Sequence, residues 1–194
     1  MKHIFAWGWI GLFLFFAGCG SRGVRHTIAD LMGVSIVFPA DMQSKVKDRD
    51  TVLDRNFPEP YKLVAYLNST QCDGCRLKDL LSWKYFMRQF DSIGTKDSVR
   101  FVFVFHPKDT AALIERLQLY DFDLPVWIDR QGSFEQANAL PEEASFHVFL
   151  LDRDNRVVLV GSPVGNPKMW ELYKSTIARL GAGEGIMPGE KPER

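Results

Sequence analysis

The chain has 194 residues, of which 46% are hydrophobic and 13% aromatic. That is ample for a core, and the length left after an N-terminal apolar segment suits one domain. Lys plus Arg number 24 and Asp plus Glu number 24, so the net charge is zero. No basic run stands out, which excludes phosphate-backbone binding as the main role, and no nucleic acid partner is expected.

The N-terminus starts with Lys2 and His3, followed by an apolar run over residues 4–16. That run is short for a membrane span of about 20 residues. It ends at Phe16-Ala17-Gly18-Cys19. Small residues before a cysteine at the end of an apolar run resemble a bacterial lipobox. The resemblance implies a lipoprotein signal peptide over residues 1–18 and lipidation of Cys19, with residues 19–30 as a tether. The expected location is then the cell envelope, anchored by lipid to a membrane and facing the periplasm, where disulfides persist. An uncut membrane anchor is the alternative.

Val34-Ser35-Ile36-Val37-Phe38 reads as a strand stopped by Pro39. Residues 40–58 are polar and mixed, and no role follows from them. Residues 63–67 are nearly all apolar, as a central strand covered on both faces requires. Cys72-Asp73-Gly74-Cys75 comes next. A helical pattern then starts near Arg76, with Trp83, Phe86 and Phe90 at core spacing, and ends near Gly94. Residues 100–106 form a second central strand closed by Pro107. Asp109 or Thr110 is placed to cap a helix through Leu119.

Residues 124–129 make a short strand in which Pro125 marks an edge or a start. Gly132 turns into a short helix that ends by Pro141. Residues 146–151 and 156–160 pair as a hairpin across the turn Asp152-Arg153-Asp154-Asn155. Pro167 suits the first turn of a last helix through Leu180. The tail, residues 181–194, is rich in Gly, Pro and charge and is expected to be disordered. Alternating strands and helices closed by a hairpin give an α/β domain over residues 31–180. Its sheet is mixed, with helices on both faces.

The chemistry centres on Cys72 and Cys75. The chain has three cysteines, and Cys19 is accounted for at the N-terminus, so this pair is left with each other. A Cys-x-x-Cys between a strand and a helix can cycle between dithiol and disulfide. Cys72 would sit at the helix N-terminus, where unpaired N–H groups favour the thiolate, and it is assigned as nucleophile. Cys75, one turn further on, is assigned as the resolving thiol. Asp73 opposes the thiolate, and Gly74 loosens the turn. An inert disulfide or half a metal site are the other readings. A zinc site needs about four ligands, and His106 and His147 are the only histidines in the expected domain. No metal is expected, nor any cofactor beyond the redox-active disulfide.

The strand before Cys72-x-x-Cys75, together with Phe149-Leu150-Leu151-Asp152-Arg153-Asp154-Asn155-Arg156-Val157-Val158, resembles the exported TlpA-like, redoxin branch of the thioredoxin family. Leu124-Pro125-Val126 resembles that branch's extra segment, and residues 161–167 resemble its lipoproteins of Bacteroidetes type. The resemblance implies a thioredoxin-like fold and a membrane-tethered protein disulfide oxidoreductase, acting as a reductase. Its partners would be exported cysteine-containing proteins and a thiol electron donor at the membrane. In such proteins a Trp precedes the first cysteine, where this chain has Gln71. A buried acid lies six residues before it, here Tyr66. A cis-proline precedes the hairpin, here Phe146, which places Phe146 and His147 among the expected neighbours of the redox pair. His147 would then either assist proton transfer or be held by local hydrogen bonds. A redox-inert binding module on the same scaffold is the alternative function, and a thiol peroxidase is a weaker one.

Overall fold

The computed structural model describes residues 19–55, 57–70, 79–92 and 99–183. Its elements are, in order, α1 (Cys19–Leu31), β1 (Gln43–Val46), β2 (Arg49–Asp50), β3 (Tyr61–Leu67), α2 (Asp79–Ser92), β4 (Val99–Phe105), α3 (Thr110–Leu119) and β5 (Val126–Ile128). Then come α4 (Ser133–Asn138), a 3-10 turn (Ala144–Phe146), β6 (Val148–Leu151), β7 (Val157–Val160) and α5 (Pro167–Gly181).

The strands form one sheet in the order β2-β1-β5-β4-β3-β6-β7. β3 pairs in parallel with β4, β4 in parallel with β5, and β6 antiparallel to both β3 and β7. Each parallel pair is linked through a helix, as crossover geometry demands. Alternation along the strands splits the core in two. Leu63, Ala65, Phe103, Phe105 and Leu150 meet α2, α3 and α5 through Phe86, Phe90, Leu113, Leu117, Tyr173 and Ile177. Val64, Tyr66, Val104, Trp127 and Phe149 meet α1 and α4 through Leu31 and Phe134. β3 and β4 are therefore covered on both faces, which explains their unbroken apolar sequences.

The helix boundaries follow local chemistry. The Asp109 carboxylate accepts from the N–H groups of Ala111 and Ala112 at the start of α3. Asn166 caps α5 by accepting from Met169 N–H, with Pro167 in the first turn. A buried Asp129 holds the start of α4, accepting from Ser133 N–H at 3.0 Å, Phe134 N–H at 2.8 Å and Ser133 Oγ–H at 3.0 Å.

Two expectations need correction, and one stretch that carried none gains a place in the sheet. The segment expected as a tether is helical from Cys19 to Leu31, because Ile28, Leu31 and Met32 share one apolar side that packs on the second core. Residues 34–38 do not form a regular strand. They lie beside β7 through the bridge Ser35↔Arg156, with Gly33 N–H donating to Val157 C=O and Ile36 N–H to Asn155 C=O, both at 2.8 Å. Beyond that bridge the Asn138 side chain replaces a strand partner, accepting from Val37 N–H at 2.7 Å and donating to Val37 C=O at 2.9 Å. Finally, the polar stretch 40–58 contains the β1–β2 hairpin, which docks antiparallel on β5. Pro125 precedes β5, and β5 is internal to the sheet. Among the described residues, no helix is long and apolar enough to cross a membrane.

Candidate redox site

Gln71, Cys72, Asp73, Gly74 and Cys75 lie outside the described residues. In the sequence they fall between β3, which ends at Leu67, and α2, which starts at Asp79. Helix and strand pack together: Leu80 and Trp83 of α2 are buried in the same core as Ala65 and Leu63 of β3. His106 N–H donates to Leu67 C=O at 2.8 Å, which continues the β3–β4 ladder to the last residue of β3.

A cleft of about 450 Å³ opens at this end of the sheet. Ala65, Tyr66, Leu67, Leu80, Trp83 and Val148 line it together with residues 143–145 and Ser162, of which Glu143, Ser145 and Ser162 are polar. The loop before β6 thus meets the cleft through residues 143–145.

Phe146 and His147, expected as neighbours of the redox pair, do not line this cleft among the described residues. Phe146 is buried in the core on the α4 side of the sheet, opposite α2. His147 follows the same alternation as Phe149 and is fully buried. Its ring lies 5.2 Å from the Tyr66 ring, and its Nε2 is 2.7 Å from the Pro141 C=O. That bond puts the proton on Nε2, since a carbonyl can only accept. Burial holds the imidazole pKa below its ordinary value, while Pro141 C=O and the Glu135 carboxylate pull the other way. The His147 C=O accepts from Tyr66 N–H at 2.9 Å and extends the β3–β6 pairing by one residue. The His106 ring lies close to Gly132, whose backbone is left-handed at φ 71°: a Cβ there would come within 2.8 Å of His106 Cε1.

Tyr66, standing where the resemblance leads one to expect a buried acid, is 1% exposed. Its hydroxyl donates to Glu135 Oε2 at 2.8 Å. A carboxylate therefore does approach this position, carried by α4 rather than by β3. Nothing local in the sequence pairs Tyr66 with Glu135. Their meeting depends on α4 crossing the sheet. Among the described residues no cluster of His, Cys, Asp and Glu could hold a metal ion.

No family model and no curated protein sequence matches the chain. Solved structures do. The thioredoxin domain of a thiol-disulfide oxidoreductase from Bacteroides vulgatus superimposes with a TM-score of 0.52 at 12% identity, over 74% of this chain and 96% of that one. The fold is thioredoxin-like. A conserved protein from Geobacillus kaustophilus, described as uncharacterized, shares it with a TM-score of 0.56 at 16% identity, over 83% of this chain and 87% of that one. In the sequence of this chain the β3–α2 connection holds Cys72 and Cys75, and the loop before β6 meets the cleft at residues 143–145. Here that loop turns Phe146 inward instead of presenting a proline.

Proposed function

We propose that the chain is a membrane-tethered, extracytoplasmic thiol–disulfide oxidoreductase that works as a reductase through Cys72 and Cys75. The observation that carries this reading is the sequence position of the pair, between the central strand β3 and helix α2 of a thioredoxin-like sheet. The Bacteroides vulgatus domain bears a thiol–disulfide name. At 12% identity it supports the scaffold, and the chemistry rests on the cysteines of this chain.

In the proposed cycle the Cys72 thiolate attacks one sulfur of a partner disulfide. A mixed disulfide forms, and the partner's other sulfur leaves as a thiolate that takes up a proton. Cys75, once deprotonated, attacks Cys72 Sγ, closing the Cys72–Cys75 disulfide and releasing the second partner thiol. Two electrons pass to the partner, and a thiol donor at the membrane restores the dithiol. The partners are exported proteins with cysteines. Lipidation at Cys19, after removal of residues 1–18, would hold the domain at the membrane, facing the periplasm.

The test is insulin reduction by dithiothreitol, with the full-length chain in detergent and Cys72→Ser beside it. Turnover in the wild type alone supports the reading. Background rates for both proteins, with Cys72→Ser as stable as wild type, would favour the binding-module reading, for which the inward turn of Phe146 is the supporting observation.

A further inference from the structure

Helix α2 carries apolar side chains on two sides, where packing on one sheet requires a single stripe. Leu80, Trp83, Phe86 and Phe90 are buried in the core. Leu81 and Tyr85, one turn apart, are 51% and 64% exposed. Together with Ser82, Gln89, Phe86, residues 163–167 and Trp170 they line a groove of about 840 Å³. The groove thus lies between α2 and the start of α5, and none of these lining residues is charged.

Its α5 side is built in advance of any ligand. The Trp170 ring packs on Phe86 at 5.0 Å and on Phe90 at 5.1 Å between ring centres. Ser162 Oγ accepts from Val164 N–H at 3.3 Å, Pro163 C=O accepts from Asn166 N–H at 3.2 Å, and the Tyr173 hydroxyl donates to Gly161 C=O at 3.0 Å. Pro163 and Pro167 have φ fixed by their rings. A partner that binds here therefore has little protein to order.

The groove adjoins the 450 Å³ cleft of the candidate redox site. Leu80 and Ser162 line that cleft, and the residues that follow each of them in the chain, Leu81 and Pro163, line the groove. Leu81 stands six residues after Cys75 in the sequence. From Leu81 to Gln89 the helix rises about 12 Å, a distance that an extended chain covers in about four residues.

We propose that this groove docks the residues next to the reacting cysteine of the disulfide-bearing partner, and that it selects apolar ones. The inference rests on the thiol–disulfide reading above. Two observations name the occupant. The groove continues the cleft, so a chain whose cysteine is exchanged there lays its neighbouring residues along α2. The lining is uncharged, so a charged side chain would give up water and gain no counter-ion. Cysteine and the large apolar residues are among those most often buried in folded proteins. A cysteine flanked by them is exposed in a chain that has not finished folding, and incompletely folded exported chains are the substrate class this surface fits.

The test uses the full-length chain in one detergent throughout and two fluorescein-labelled peptides of about ten residues. Both have Ser in place of the central cysteine. One has Leu and Val on each side of it, the other Ser and Asp. By anisotropy the apolar peptide is expected to bind about tenfold more tightly. Leu81→Ser and Tyr85→Ser should each remove most of that preference, and Tyr85→Phe should keep it. Both positions are exposed, and unchanged urea midpoints would show the variants folded. Disulfide-linked dimers of the corresponding cysteine peptides, with dithiothreitol as donor, should show the same preference in kcat/KM and the same loss in Tyr85→Ser. Hydroxyethyl disulfide has no flanking residues and reads the redox chemistry alone. Failure to reduce it would sink the thiol–disulfide reading, while the anisotropy still reads the groove. Equal affinity for the two peptides, or a preference that survives in a folded Leu81→Ser/Tyr85→Ser double variant, would overturn the proposal. So would a preference in binding with none in reduction by an enzyme that turns over hydroxyethyl disulfide. A dimer in sedimentation that Tyr85→Ser dissolves would assign the groove to a second copy of the chain and overturn it equally.

Discussion

Replacing Asp129 with Ala tests whether α4 is held by one buried carboxylate. Asp129 is 1% exposed and accepts from Phe134 N–H at 2.8 Å, Ser133 N–H at 3.0 Å and Ser133 Oγ–H at 3.0 Å, with a longer contact from Gln131 N–H at 3.3 Å. Hydrogen bonds to a charged group contribute about 1.5–3 kcal/mol each. Phe134 is fully buried, so its N–H has no water to turn to, whereas Ser133 is only half-buried. Two strong bonds lost at the low end of that range give a cost of about 3–4 kcal/mol. For a domain whose stability is of order 5–15 kcal/mol, this is a large fraction. Urea unfolding at neutral pH, followed by circular dichroism, should show a lower midpoint with an unchanged slope. Asp129→Asn retains one carbonyl oxygen and should lose about half as much. A loss below about 1 kcal/mol in Asp129→Ala would refute the reasoning, by showing that these N–H groups find water after all.

Three further outcomes are expected. His147 has a depressed pKa, chiefly from burial, so the unfolded chain takes a proton as pH falls below about 6.5 while the folded protein does not. Stability is then complete above that pH and declines as pH drops toward the folded-state pKa. Urea midpoints between about pH 5 and 7.5 should slope less in His147→Gln, and an identical slope would count against it. Gly132→Ala should cost about 1–3 kcal/mol in thermal unfolding, because φ is 71° and the added Cβ would lie 2.8 Å from His106 Cε1. Tyr66→Phe should cost about 1 kcal/mol by removing the donor to Glu135 Oε2, and no change would mean that water replaces it fully.

The sequence revealed the elements whose cause is local. β3 and β4 are unbroken apolar stretches because both faces are covered, and α3 and α5 begin at residues whose side chains cap them, Asp109 and Asn166. The β1–β2 hairpin was not legible. Its residues are polar and half-exposed, and it exists because Gln43, Ser44 and Lys45 find partners on β5. Residues 34–38 misled for the opposite reason. Their alternation is that of a strand, but their hydrogen bonds go to a bridge beside β7 and to a side chain. At the site, the cysteine pair was evident from spacing. The inward packing of Phe146 was not, because a bulky residue in a loop position looks the same whether it faces a cleft or the core. The Tyr66–Glu135 bond spans elements that only the folded chain brings together.

The bond pair between Asn138 and Val37 bears on how the domain carries load. Tension applied at the N-terminal end passes along α1 and through residues 33–36 before it reaches the sheet. The contacts in its path are the packing of Ile28, Leu31 and Met32 on the core, then the bonds to Asn155 and Val157, then the two amide bonds to Val37. The bonds to Asn155 and Val157 lie at the sheet margin beside β7, where bonds can be peeled one after another. The Asn138 amide grips both polar groups of a single residue and is itself rooted in α4 by donating to Phe134 C=O at 2.8 Å. Asn138 thus ties both backbone polar groups of Val37 to α4, so a pull from the N-terminal side meets a side-chain clamp there as well as the packing of α1.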